Sequence, residues 1–176
     1  MEEEEVKRVI GAYFKQRNIK AVRQKGPGPD FLCEGVAIET KPTDVDFDRA
    51  FDQYVSYAFK YAGLWIVLPE DAIDTRSFVR LYLMDQVLSK KYSRQVKLYI
   101  VAKRTEAEYH VREFSISDFF LEAAVQTAAS FPSQYEVEPD DAIPQIISRL
   151  SDPDMEIGSA ISRMVKDHYY STKISF

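Results

Sequence analysis

A short, uninterrupted apolar run is the feature that most constrains the fold. Residues 64–68 read Leu-Trp-Ile-Val-Leu, and Pro69 follows them. An apolar run of this length without alternation is typical of a strand that is covered on both faces. Residues 77–90 are predicted to be helical and residues 96–101 to form a further strand. A strand, a helix and a strand in succession predict a crossover between parallel strands, and therefore an α/β fold.

The segment before this run predicts two helices and a hairpin. Residues 2–17 and 48–61 carry apolar side chains at three- and four-residue spacing, which is typical of helices with one buried face. Residues 31–33 and 36–40 are predicted to form a hairpin around Glu34-Gly35, after a short strand within residues 19–24. The central sheet is therefore expected to be mixed and flanked by helices.

The last third of the chain predicts mainly helices. These cover residues 117–130, 142–150 and 153–168, and residues 169–176 are a candidate terminal strand. We expect one domain overall, with a core over residues 1–115 and a helical C-terminal extension over residues 116–176 packed on it. The run 143–176 has a weak likeness to a winged helix, but its nearly neutral charge favours helices that pack on the sheet or form a dimer interface.

Composition excludes several classes of protein. The lone cysteine, Cys33, excludes an internal disulfide and a cysteine-rich metal site. The chain starts Met-Glu-Glu-Glu-Glu and has no long apolar segment, so neither a signal peptide nor a membrane span is expected. The interpretation is a cytoplasmic protein.

Charge is segregated along the chain in a way that favours a DNA partner. The net charge is −5, yet residues 76–104 contain eight basic residues and one acid. A second basic run covers residues 15–25, and the chain after Arg104 is acidic. A basic face can follow phosphates while the acidic segment sets the total. The residues expected to contact DNA include Arg23, Lys25, Lys60, Lys90, Lys91 and Arg94.

Two carboxylates and a lysine form the strongest candidate for chemistry. Glu39 and Lys41 lie two apart on a predicted strand, so both side chains share one face, while Thr40 points the other way. Asp30 lies at the entry to the partner strand and can reach that face. Converging carboxylates repel each other unless a cation joins them, and oxygen ligands suit Mg²⁺ or Mn²⁺. Lys41 can orient or deprotonate a water and offset charge on a phosphorane-like transition state.

The order of these features resembles the PD-(D/E)xK nuclease superfamily over about residues 1–70. That superfamily includes restriction endonucleases, Holliday-junction resolvases and RecB-type exonucleases. The resemblance implies a restriction-endonuclease-like fold, with Asp30 and Glu39 as metal ligands and Lys41 as the catalytic lysine. It also implies an acidic ligand on the first helix, for which Glu5 is the candidate and Glu2 and Glu4 are alternatives.

A second motif is similar to the QxxxY motif of RecB-type exonucleases. Gln53 and Tyr57 lie four apart on a predicted helix, so they project from one face. The resemblance implies that Gln53 approaches the attacking water or the scissile phosphate and that Tyr57 contacts the DNA backbone. Many of those exonucleases also bind an iron–sulfur cluster through four cysteines, and this chain has one cysteine.

The sequence thus predicts a magnesium-dependent deoxyribonuclease that holds one or two Mg²⁺ ions, with a homodimer as the expected assembly. Two alternatives stay open. One is a non-catalytic DNA-binding or interaction protein on the same fold, and the other is a protein-binding adaptor without DNA affinity. If the motif carries no chemistry, Glu39 and Lys41 form an ordinary surface pair on an edge strand and Asp30 caps a turn.

Overall fold

The computed structural model describes residues 1–117 and 171–176, and this part of the chain forms an α/β fold around one mixed sheet. The predicted α/β class and mixed sheet are confirmed. Seven strands pair in chain order: β1 (Val22–Arg23), β2 (Phe31–Cys33), β3 (Val36–Thr40), β4 (Gly63–Pro69), β5 (Gln95–Lys103), β6 (Glu108–Ser115) and β7 (Thr172–Ser175). The described helices are α1 (Glu3–Gln16), α2 (Phe47–Lys60) and α3 (Thr75–Tyr92), with a short 3₁₀ helix at Glu70–Ala72.

The three helices form where apolar spacing and capping residues agree. In α1 the predicted apolar stripe is the buried face, and the first turn carries acids, which favour the positive end of the helix dipole. The side chain of Asp46 accepts a hydrogen bond from the Arg49 backbone N–H and begins α2. Asp74 caps α3 through Ser77 in the same way, and Ser93 ends that helix in the left-handed conformation.

The strand register places the carboxyl ends of β3, β4 and β5 at one end of the sheet. β3 pairs in parallel with β4, and β4 with β5. The predicted crossover through α3 is therefore confirmed in its parallel pairing, and a second one runs through α2. β2 and β3 form the predicted antiparallel hairpin. Its two-residue turn has positive φ at both Glu34 and Gly35, which matches the twist of the flanking strands.

The sheet is covered on both faces by apolar side chains. On one face α2 and α3 pack over alternate residues of β4 and β5, including Leu64, Ile66 and Leu98. On the other face α1 packs over the residues between them, including Val67 and Tyr99. The flanking of the sheet by helices is therefore confirmed, and β4 is the doubly covered strand that its apolar run predicts.

The sheet extends further than the sequence indicates. β6 was not predicted, because its buried positions change phase, from Tyr109 and Val111 to Phe114. The predicted terminal strand is present as β7, which pairs antiparallel with β6. The predicted helices at 142–150 and 153–168, and nearly all of the one at 117–130, lie outside the described residues, as does the winged-helix alternative. No helix within residues 1–117 and 171–176 is long and apolar enough to span a membrane.

Gly63 provides a test of the β4–β5 contact. A Cβ atom at this position would lie 2.9 Å from the backbone oxygen of Gln95, its register partner. Because a backbone atom cannot rotate away, Gly63→Ala should separate the starts of the two strands. We expect a loss of about 1–3 kcal/mol in the free energy of unfolding, measured by urea denaturation.

Gly11→Ala is the matched control. Gly11 lies inside α1, and a Cβ atom there would meet only the Phe31 ring, at 3.9 Å. Alanine should therefore stabilise the protein by about 0.5–1 kcal/mol, since glycine is unfavourable within a helix. Equal effects of the two substitutions would contradict this account of the strand contact.

Candidate active site

The β2–β3 hairpin brings Asp30 and Glu39 to one corner of the sheet. Phe31 pairs with Ile38, so the next residues outward are Asp30 and Glu39. Asp30 is fixed there by Thr40, whose backbone N–H donates to Oδ2 at 2.8 Å and whose hydroxyl donates to the same atom at 2.7 Å. Thr40 is fully buried, as expected for a side chain that points away from the face of Glu39. Asp30 is therefore fixed near the carboxyl end of β3, where Glu39 also lies.

Lys41 links Glu39 to α2. Its Nζ donates to Glu39 Oε1 at 2.6 Å and to Gln53 Oε1 at 2.7 Å. Gln53 Nε2 in turn donates to the hydroxyl of Tyr57 at 2.9 Å. The structure thus brings Glu39, Lys41, Gln53 and Tyr57 into one hydrogen-bonded chain beside Asp30. The two oxygens of Glu39 and Gln53 accept two of the three N–H donors of the ammonium and so fix its direction.

Glu39 carries an incompletely satisfied charge. The residue is 4 % exposed, and its Oε2 has no hydrogen-bond partner among the described residues. Burial raises the pKa of this carboxyl, and the negative charge of Asp30 adds to the rise, against the hydrogen bond from Lys41. The neighbouring Tyr54 hydroxyl is also buried without a partner in the described part of the chain. A buried carboxylate oxygen without a partner is costly, so this corner favours a bound cation or water.

A second lysine, which the sequence analysis did not single out, holds Asp30. Lys7 on α1 places its Nζ 2.6 Å from Asp30 Oδ1 and also contacts the carboxylate of Glu3. Burial lowers the pKa of this ammonium, but the hydrogen bonds to Asp30 and Glu3 outweigh that effect, and its pKa is raised. The contact between Glu3 and Lys7 could have been found from the sequence, because the two residues are four apart on a predicted helix.

Glu5, the candidate ligand on the first helix, lies elsewhere. Its Oε1 accepts a hydrogen bond from the Tyr109 hydroxyl at 2.6 Å and lies 3.0 Å from Lys103 Nζ. The hydrogen bond from Tyr109 holds the pKa of this carboxyl below its ordinary value, and Lys103 contributes in the same direction. Glu5 therefore faces β5 and β6, whereas Glu3 reaches Asp30 through Lys7. Its role as a metal ligand stays a prediction from the resemblance.

The donor set fits a magnesium ion with few protein ligands. Among residues 1–117 and 171–176, no three acidic, histidine or cysteine side chains are grouped as a complete metal cage. Mg²⁺ commonly binds through one or two carboxylates and takes its other ligands from water and substrate phosphates. Asp30 and Glu39 supply two such carboxylates, and the unpartnered Oε2 of Glu39 is a ready ligand atom.

Most of the basic residues expected to contact DNA lie at the other end of the sheet. The ends of α2 and α3 are joined by the rings of Phe59 and Tyr92, 5.3 Å apart, and Arg94 donates to the Tyr61 carbonyl oxygen at 2.7 Å. We call the residues around this junction the basic cluster: Lys60, Lys90, Lys91 and Arg94.

The two other basic residues of that set lie nearer to the predicted site. Lys25 lies in the loop that leads to Asp30, and Arg23 is paired with Glu4 at 2.6 Å. Of the tyrosines in residues 76–104, Tyr99 is fully buried, whereas Tyr92 is 43 % exposed beside the basic cluster.

Comparisons of the chain with protein-family models, with curated proteins and with solved structures found no match.

The buried Glu39 carboxyl predicts a pH-dependent stability. Since its pKa is raised on folding, its favourable contribution is complete below the ordinary carboxyl pKa and is lost as pH rises through the folded value. Glu39→Gln keeps an oxygen acceptor for Lys41 and stays neutral. We expect the variant to gain unfolding free energy relative to the wild type between about pH 4 and pH 8 in metal-free buffer, as measured by urea denaturation.

Glu34→Gln is the control for this experiment, because Glu34 occupies the exposed turn of the same hairpin. The difference in unfolding free energy between Glu34→Gln and the wild type should vary much less over the same pH range. If the unfolding free energy of Glu39→Gln changes with pH in parallel with that of the wild type, the buried carboxyl does not cause this pH dependence.

Proposed function

We propose that the chain is a magnesium-dependent nuclease that hydrolyses DNA phosphodiester bonds, on a restriction-endonuclease-like fold. The observation that carries the proposal is the arrangement around Lys41. Its ammonium joins Glu39 to Gln53, beside an Asp30 that Thr40 fixes. Within residues 1–117 and 171–176, one buried oxygen of Glu39 has no partner. A surface pair of glutamate and lysine would be exposed, whereas Lys41 and Glu39 have side chains that are 13 % and 5 % exposed.

The order of elements also supports the proposal. The chain runs α1, β1, β2, β3, α2, β4, and the acidic, lysine and glutamine residues occupy the positions on which the resemblance to PD-(D/E)xK nucleases rests. Asp30 precedes β2, Glu39 lies at the end of β3, and Gln53 lies on α2. These are the places from which side chains can converge on one corner of a sheet.

Each residue has a distinct task in this proposal. Asp30 and Glu39 would hold Mg²⁺, which when bound acts as a Lewis acid on a phosphoryl oxygen and lowers the pKa of water. Lys41 orients the attacking water and offsets charge that develops on the phosphate. Gln53 fixes the direction of the Lys41 ammonium, and Tyr57 fixes the amide of Gln53. A displacement of about 1 Å in such a group can reduce the rate by a factor of about 100.

A non-catalytic DNA-binding protein is the second candidate. The position of the basic cluster favours it, because these residues surround the amino ends of β4 and β5, away from Glu39. Such a protein would bind DNA in a salt-sensitive way and would not cut it with any divalent metal. The homodimer and the cytoplasmic location remain predictions from the sequence.

A cleavage assay tests the proposal directly. The full chain would be incubated with Mg²⁺ or Mn²⁺ and a linear duplex, a circular single strand and a four-way junction. We expect metal-dependent cutting of at least one substrate, with a loss of at least about 100-fold in Glu39→Ala and in Lys41→Ala, because charge stabilisation and water activation both depend on these groups.

Lys97→Ala is the matched control for Lys41→Ala. Lys97 also pairs with a glutamate, Glu113, at 2.6 Å, but it lies near the amino end of β5. Its variant should keep the wild-type rate. A folded wild type that binds DNA and cuts none of the substrates would favour the non-catalytic candidate.

Binding of DNA has a separate expected signature. Removing two lysines of the basic cluster, Lys90→Ala with Lys91→Ala, should reduce the slope of log K against log salt concentration by about 2, because each phosphate contact contributes about 1. The measurement is fluorescence anisotropy of labelled DNA in metal-free buffer.

The charge-matched control replaces Lys97 and Lys173, which pair with Glu113 and Glu108. It should leave the slope within about 0.5 of the wild-type value, since these lysines are already neutralised by acids. A similar fall in slope for both double variants would assign the effect to net charge alone.

A further inference from the structure

The ammonium of Lys7 lies between the carboxylates of Asp30 and Glu3, with that of Glu4 farther away. Lys7 Nζ lies 2.6 Å from Asp30 Oδ1 and 3.6 Å from Glu4 Oε1, and it contacts Glu3 Oε1. The side chain of Lys7 is 12 % exposed and that of Asp30 is 14 % exposed. Exposed ion pairs contribute little, but here the ammonium and its Asp30 partner are both largely removed from water.

The hydrogen bonds of Asp30 divide its two oxygens between different partners. Oδ2 accepts both hydrogen bonds from Thr40, and Oδ1 contacts Lys7. The carboxylate therefore cannot rotate to present another oxygen without losing the contacts of Thr40. The Oδ1 side of Asp30 is thus already neutralised by a cation that is covalently part of α1.

The Glu39 carboxylate is less completely neutralised than that of Asp30. Lys41 contacts Oε1 of Glu39, while Oε2 is buried and has no partner among the described residues. An additional positive charge is therefore favoured near Glu39. A divalent ion on the far side of Asp30 would instead meet the Lys7 ammonium at a few ångströms, where like charges repel strongly in a partly buried site.

We propose that Lys7 is a positioning residue that limits this site to one divalent cation, because its ammonium takes the place of a second cation beside Asp30. The inference rests on the proposed metal-dependent function and decides between the one and two ions that the sequence leaves open. It assigns the single ion to the Glu39 side of Asp30. Lys7 also keeps Asp30 ordered before any metal is bound.

Removing the ammonium should create a second cation position. Lys7→Met keeps the length and the apolar stem of the side chain but not its charge. Oxygens of Glu3 and Asp30 would then face the vacated point, with Glu4 Oε1 farther away, and carboxylate oxygens suit Mn²⁺, Mg²⁺ or Ca²⁺. The number of bound ions per chain should therefore rise from one to two.

The experiment counts bound Mn²⁺ on the full chain without nucleic acid, by the electron paramagnetic resonance signal of free Mn²⁺ and by titration calorimetry. We expect one ion for the wild type, one for Lys7→Arg and two for Lys7→Met. Lys97→Met, which removes a lysine paired with Glu113 at the other end of β5, should bind one ion. Glu39→Gln should lose the wild-type ion, because that ion depends on the Glu39 carboxylate.

The outcomes separate this inference from the proposed function. Two ions on the wild type, or one ion on both the wild type and Lys7→Met, would overturn the role of Lys7 and leave a metal site that depends on Glu39. No bound Mn²⁺ on either protein would overturn the metal-dependent function together with the inference. If Lys7→Met does not fold by circular dichroism, Lys7→Gln removes the same charge, and the wild-type count still decides the first case.

Discussion

The register of the β2–β3 hairpin is the constraint on which the candidate site depends. Phe31 pairs with Ile38, and this pairing places Asp30 and Glu39 side by side at the end of β3. A slip of one residue would turn the Glu39 side chain to the opposite face, because side chains alternate along a strand. The two-residue turn at Glu34-Gly35, with positive φ at both positions, holds the register. A local feature of backbone geometry thus determines whether two carboxylates share one corner of the sheet.

Two carboxylates in a largely buried corner need positive charge, and two separate elements supply it. Lys41 comes from the end of β3 itself, and Lys7 comes from α1. The position of Lys7 is set by the buried stripe that includes Val6 and Val9 on the same helix, because their packing fixes α1 along the sheet. Core packing and site electrostatics are therefore coupled. A change in the apolar face of α1 would move an ammonium next to Asp30 as well as loosen the core.

Short-range periodicity predicted the hairpin, the shared face of Glu39 and Lys41, and the shared face of Gln53 and Tyr57. That these two pairs meet in one site followed only from the resemblance to PD-(D/E)xK nucleases. Alternation along a strand and four-residue spacing on a helix state which side chains share a face. β6 was not predicted because its buried positions change phase between Val111 and Phe114. Val111 packs in the cluster under α1, whereas Phe114 packs in the cluster under α2 and α3. The contact of Lys7 with Asp30 was not predicted for another reason. Amphipathic spacing indicates which face of α1 meets the sheet, but it does not determine how far along the sheet the helix lies. It therefore could not choose between Glu5, Glu2 and Glu4, and it did not indicate Glu3.

Charge segregation in the sequence becomes separation in space, and α2 connects the two regions. Gln53 lies at the corner of the sheet that holds Asp30, Glu39 and Lys41. Lys60 lies seven residues later, in the basic cluster at the end of the same helix. Seven helical residues span about 10 Å, which equals the axial rise of about three phosphates on one strand of duplex DNA. Under the proposed function, a strand that presents one phosphate to Lys41 brings another within reach of Lys60. The ammonium groups of Lys7 and Lys41 are already paired with the carboxylates of Asp30 and Glu39. Attraction of DNA therefore has to come from the basic cluster and from a cation bound at Glu39.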